Sequence, residues 1–253
     1  FYYELGEFLE AEAQRQNRSV NNLVHREFSE KVCSSLDHVG YNFCTGKVMA
    51  MNPQWCQPLA VWKNYYTHWI NNGKAQDLLN VSIFFDFRLV YGDQRICEEL
   101  KAHVNELSRK NPAFVHLMAQ NTLSQKPQVG FWGNILLETA GAPPETVNIK
   151  NAIMPIVSFA RVNALKYGLA ERNTLERLKM LHQKDVINVS TYNNVSQAFV
   201  HLARIRLQHQ TELLQKQAKP DNLINTKQLN ELDKIILKKV LSYINNMLSL
   251  LAS

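Results

Sequence analysis

Along most of this chain apolar residues recur every three to four positions, and the runs break at proline, glycine or asparagine. Phe1, Leu5, Phe8 and Leu9 predict a helix over roughly 1–16. Leu23, Val24, Phe28, Val32 and Leu36 predict a second over about 21–38, with Gly40 as its C-terminal cap. The pattern then changes, and YNFCTGKVMAMN reads as a short strand or hairpin ending at Asn52-Pro53. Pro58 opens the next helix, on which Trp62, Tyr66 and Trp69 share one face, expected to be buried against the strand region. NVSIFFDFRLVYGD is the clearest strand: Val81 to Val90 is β-branched and aromatic, and Gly92-Asp93 closes it. From Arg95 onward only helices are expected, at about 95–109, 112–124, 131–140, 152–167, 174–184, 191–217 and 227–251. Asn173 with Glu176 forms a capping-box-like start, and Ser190 and Asn225 or Thr226 are expected to cap the two longest helices. The fold class is α+β, mainly α: a small α+β portion over about 20–110, then a helical bundle with no strand longer than about three residues.

With 253 residues, 45% hydrophobic and 20% charged, the chain fits one large domain or two small ones. No apolar run approaches the roughly 18–20 residues of a membrane helix. The opening FYYELGEFLE is acidic where a secretory signal is basic, and it begins with Phe1 rather than Met, which reads as a fragment. Cys33, Cys44, Cys56 and Cys97 are widely spaced, with no C-x-x-C pair, so a cytoplasmic protein with buried free cysteines is expected. Charge is uneven: residues 1–110 hold 12 Lys and Arg against 13 Asp and Glu, and residues 111–253 hold 16 against 9. A basic second half suits an anionic partner or simply a solvated basic surface.

No nucleophile elbow, Walker loop, dinucleotide fingerprint or H-E-x-x-H helix is present. His201 and His209 can share a helical face, where a core or surface role outweighs catalysis. Nucleic-acid binding is disfavoured, because no aromatic-and-basic platform or groove-reading helix is visible. Asp86 and Arg88 are the charged residues of the expected strand, where alternation sets both on the face of Phe84 and Val90. A charge in such a run needs a partner, and a buried Asp86–Arg88 or Asp86–Lys pair is one reading.

Five segments in order carry a family resemblance across about 28–250: GYNFCTGKVMAMNPQW from Gly40, WKNYYTHWI from Trp62, IFFDFRLVYGD from Ile83, NIKNAIMPIVSFARVNAL from Asn148, and LARIRLQHQ from Leu202. The chain resembles the nucleotidyltransferases of bacterial signalling proteins, which often stand behind CBS or cyclic-nucleotide-binding domains and are related to protein-PII uridylyltransferases. The resemblance implies that residues 1–110 are the distal, truncated part of a polymerase-β-like nucleotidyltransferase domain. Residues 111–253 are then a helical substrate-binding domain. Uridylyl or adenylyl transfer from a nucleoside triphosphate to a protein or small-molecule acceptor is the implied reaction, with Mg2+ as cofactor.

In such enzymes carboxylates hold divalent metals that clamp the triphosphate. The resemblance makes Asp86 the third of these carboxylates, a catalytic and metal-binding residue, and gives Arg88, Lys150, Arg161, Arg204, Arg206 and His209 substrate-binding roles. Ion pairs that fix the bundle remain the other reading of these cations. The first two carboxylates of the family sit in an Asp-x-Asp element after a Gly-Ser turn. Neither element occurs before Phe28, and the first aspartate is Asp37. The chain by itself is therefore expected to be inactive. A non-catalytic interaction module relaying signals from an upstream sensory domain is the alternative function.

Overall fold

The structure, a computed structural model, describes residues 24–124 and 146–251. The helices expected at 1–16 and 131–140 lie outside the described residues. The elements run α1 (Val24–His38), α2 (Leu59–Asn72), α3 (Ala75–Phe84), α4 (Gln94–Lys110), α5 (Pro112–Ser124), β1 (Thr146–Asn148), α6 (Ile149–Lys166), α7 (Thr174–Gln183), α8 (Val189–Gln215), β2 (Leu223–Asn225), a 3-10 turn (Thr226–Gln228) and α9 (Glu231–Ser249). The protein is mainly helical, and among the described residues the one sheet is the antiparallel pair of β1 and β2, with Val147 opposite Ile224. No described helix is long and apolar enough to cross a membrane.

The chain divides into two compact units, residues 1–68 with 89–101, and residues 69–88 with 102–253. In the first, α1 ends in a Schellman turn: Tyr41 N–H donates to the Leu36 carbonyl (2.8 Å) and Gly40 N–H to that of Asp37 (3.0 Å), with Gly40 at φ +101°. The strand or hairpin expected over YNFCTGKVMAMN is absent, and the segment is a series of turns. Local bonds replace a ladder there: Phe43 N–H donates to Asp37 Oδ1 (2.9 Å), and the Asn52 amide to the Lys47 carbonyl (3.0 Å). On α2, Trp62 is half-buried and stacks on Trp55 with ring centroids 6.1 Å apart, while Tyr66 is buried.

In the second unit the strand expected at Val81–Val90 is instead helix α3 followed by a turn at Phe85 and Asp86. Its composition favoured β structure, but Leu78 and Val81, three apart and both buried, fit the helical period equally well. Asp77 at the helix start accepts from the Lys74 N–H (3.2 Å), which fixes the first turn. Trp69 therefore packs on the end of a helix: its ring stacks on Phe84 at 6.0 Å. With α3 helical, no described residue of 24–110 lies in a strand, so the α+β expectation for that portion does not hold there.

Asparagines head the bundle helices. Asn148 accepts from Lys150 N–H, Asn173 from Leu175 and Glu176 N–H, Asn188 from Thr191 N–H, and Asn230 from Asp233 N–H. The cap of α8 is thus two residues before the expected Ser190, and Asn225 caps the 3-10 turn ahead of α9. Gly168, at φ +62°, closes α6 in a second Schellman turn, with Leu169 N–H donating to the Ala164 carbonyl (2.8 Å). The core joins Ile156, Phe159 and Ala160 of α6 to Leu178 and Leu181 of α7, Ala198 and Leu202 of α8, and Leu237, Leu241 and Ile244 of α9.

Candidate functional site

The FFDFR segment leaves α3 within the second unit, and three arginines of that unit converge on it. Asp86 Oδ2 accepts from Arg161 Nη2 (2.8 Å) and Nε (3.1 Å), and Oδ1 accepts from Arg177 Nη2 (2.5 Å). Arg177 Nε donates to the Glu171 carbonyl (2.7 Å), and Arg172 Nη1 to the Phe87 carbonyl (3.3 Å). The guanidinium carbons of Arg161 and Arg177 lie 6.0 and 5.8 Å from the centre of the Phe85 ring, so one aromatic side chain faces both cations.

Burial decides how strongly these charges interact. The Arg177 side chain is 3% exposed, that of Arg161 11% and that of Asp86 28%. Burial alone raises the Asp86 carboxyl, but the hydrogen bond from Arg177 and the charge of Arg161 outweigh it, and the group is held below the usual aspartate range. Arg177 Nη1 is buried without a hydrogen-bond partner. Two cations against one anion leave the cluster net positive.

Of the sequence candidates, the structure brings Asp86 and Arg161 together. Arg88 is exposed, and the ion pairs to Asp86 come from Arg161 and Arg177 in its place. Once the backbone is a turn and not a strand, the alternation that put Arg88 beside Asp86 no longer applies. Lys150 is exposed, its backbone N–H capped by Asn148 (3.1 Å). Arg206 Nε donates to Asn222 Oδ1 (2.7 Å), and His209 Nε2 lies 2.8 Å from Asp221 Oδ1, so both grip the connector leading to β2. Burial raises the Asp221 carboxyl, and the His209 hydrogen bond with the Leu223 N–H more than reverses this. Arg204 is exposed, its Nη2 3.3 Å from His201 Nδ1, and burial first and Arg204 second lower the His201 pKa.

The donor set does not fit the expected Mg2+. Both oxygens of Asp86 are taken by guanidinium groups, and a hard cation needs several free oxygen ligands. Among the described residues no three His, Cys, Asp or Glu side chains are grouped to hold a metal.

Arg177 and Arg172 were not among the sequence candidates. A signal for Arg177 existed: it stands four residues before Leu181 on the apolar face of α7, where an arginine requires a carboxylate. Residues 112–253 match the family described as "Putative nucleotidyltransferase substrate binding domain", and residues 13–76 match "Putative nucleotidyltransferase DUF294". No curated protein and no solved structure matches the chain.

Proposed function

This chain belongs to the family of the nucleotidyltransferase substrate-binding domain, and from that premise we propose that it is the acceptor-holding part of a uridylyl- or adenylyltransferase. Residues 1–110 are read as the distal nucleotidyltransferase portion and residues 111–253 as the bundle that holds a protein or small-molecule acceptor. The observation that carries the reading is the Asp86–Arg161–Arg177 cluster. It clamps the FFDFR segment of the first portion onto α6 and α7 of the second, so that a substrate held by the bundle has a fixed relation to that segment.

In this reading Asp86 is a positioning residue. It fixes two buried guanidinium groups and, through the backbone, the exposed Arg88 two residues on. Arg88, Lys150 and Arg204 are exposed cations suited to an anionic substrate, while Arg206 and His209 keep the connector before β2 in place.

The test is transfer of labelled nucleotide by the chain with Mg2+ and each of the four nucleoside triphosphates. No incorporation is expected. Robust incorporation that disappears in Asp86→Ala would return Asp86 to a catalytic role and overturn the reading. A second reading, a non-catalytic interaction module, is favoured by one feature. Val200, Leu207 and Leu214, spaced by seven along α8, are 53%, 63% and 61% exposed and form an apolar row outside the core.

A further inference from the structure

We propose that a cavity at the C-terminal ends of α4, α6 and α9 and the start of α5 binds a small organic anion with an apolar body. The assignment rests on the reading of residues 111–253 as substrate-holding and gives that substrate a chemistry. The cavity has a volume of about 960 Å³, at the upper end of the roughly 300–1,000 Å³ usual for small-molecule sites. Its inner wall is apolar, made by Val162 and Leu165 of α6 with Val115 and Ala119 of α5.

Two observations give the ligand its character. Ser108 lines the cavity, is 3% exposed, and its hydroxyl has no hydrogen-bond partner. A buried hydroxyl is nearly always satisfied in a folded protein, so an unpaired one in a residue of the cavity wall leaves a polar group there that a ligand atom can satisfy. The second is charge. Glu106 on the rim is neutralised by Lys110 (2.6 Å). Arg109 and Lys166 also line the cavity, and among the described residues neither forms a salt bridge. Lys166 Nζ lies 5.6 Å from the centre of the Tyr167 ring, which stands at the mouth. Two cations without a salt bridge, one unpaired hydroxyl and an apolar wall fit a carboxylate or phosphate carried on an apolar or aromatic body.

The shared chemistry can come from a nucleoside monophosphate or from an aliphatic carboxylate, and titration calorimetry on the full chain separates them with UMP and decanoate as probes. One-to-one saturable binding of either, with Kd below about 1 mM, supports the site; UMP alone identifies a nucleoside phosphate, decanoate alone an aliphatic acid. In Arg109→Glu with Lys166→Glu that binding is expected to fall at least about tenfold. These side chains are on exposed residues, and circular dichroism checks that the variant is folded. Failure of both probes to bind, or binding unchanged in the double variant, overturns the proposal. Because the readout is binding without transfer, robust nucleotide incorporation would overturn the proposed function while leaving this site standing, and failure of the probes to bind would remove the site alone.

Discussion

Truncating Asp86 to alanine leaves Arg177 and Arg161 buried and facing each other without an anion. The size of the effect follows from exposure: 3% for Arg177, 11% for Arg161 and 28% for Asp86. Removing one partner of a fully buried ion pair costs about 3–5 kcal/mol, mostly the uncompensated charge left behind. Because Asp86 keeps partial access to water, the low end applies, about 3 kcal/mol. For a protein of this size that lowers Tm by about 6–12 °C. The assay is urea unfolding followed by circular dichroism, with the midpoint read at constant slope. The origin of the loss is tested by the companion Asp86→Leu with Arg177→Met, which removes the buried cation together with its anion. This double variant is expected to recover stability over Asp86→Leu alone, giving a coupling energy above about 1 kcal/mol. A loss under about 1 kcal/mol for Asp86→Ala, or strict additivity in the pair, would refute the clamp.

Three further outcomes follow from single features. The Asp86 carboxyl is held below its usual range, so its contribution is complete above an unfolded pKa of about 3.9 and is lost as pH falls through the lower folded value. The drop in urea midpoint between pH 7 and pH 3 should therefore shrink in Asp86→Asn. Gly73 sits at φ +59°, and a Cβ there would lie 2.7 Å from Leu117 Cδ1, whereas Gly168 at φ +62° has nothing within 4 Å. Gly168→Ala should cost about 1 kcal/mol of backbone strain, and Gly73→Ala more, on the same urea assay. Asn173 accepts from two N–H groups at the start of α7, and Asn173→Ala should cost about 1 kcal/mol by the same measure.

What was legible in the sequence was the information that local spacing carries. The glycine ends at Gly40 and Gly168 and the Asn173 cap follow from rules that act within five residues. On the last helix, spacing sets Leu229, Leu232, Ile236, Val240, Ile244, Met247 and Leu251 in one stripe. Val240, Ile244 and Met247 are buried in the core beside Leu237, Leu241 and Leu248, and Leu229, Ile236 and Leu251 pack against it. Leu232 alone of the stripe is exposed, at 65%. Several leucine rows coexist on that helix, and tertiary packing chooses among them. The segment around Asp86 failed for a related reason, since a run of Val, Ile and Phe satisfies a buried strand and a buried helix alike.

The partner of Asp86 lay beyond local spacing altogether. Arg161 and Arg177 are 75 and 91 residues further along the chain, and no periodicity within one element connects them to it. Each of the three positions nevertheless carried half of the argument. Asp86 stood in an apolar run, Arg161 among Ile156, Val157, Phe159 and Ala160, and Arg177 beside Leu178 and Leu181. An isolated charge in an apolar surround is costly enough that it must be compensated by another such charge. Matching the buried anion to the buried cations was therefore open to charge balance alone, and it required Arg177, which lies outside the five segments that carry the family resemblance. That pairing makes Asp86 the anchor of the FFDFR segment, and it is why a carboxylate that resemblance assigns to a metal has both oxygens engaged by arginine.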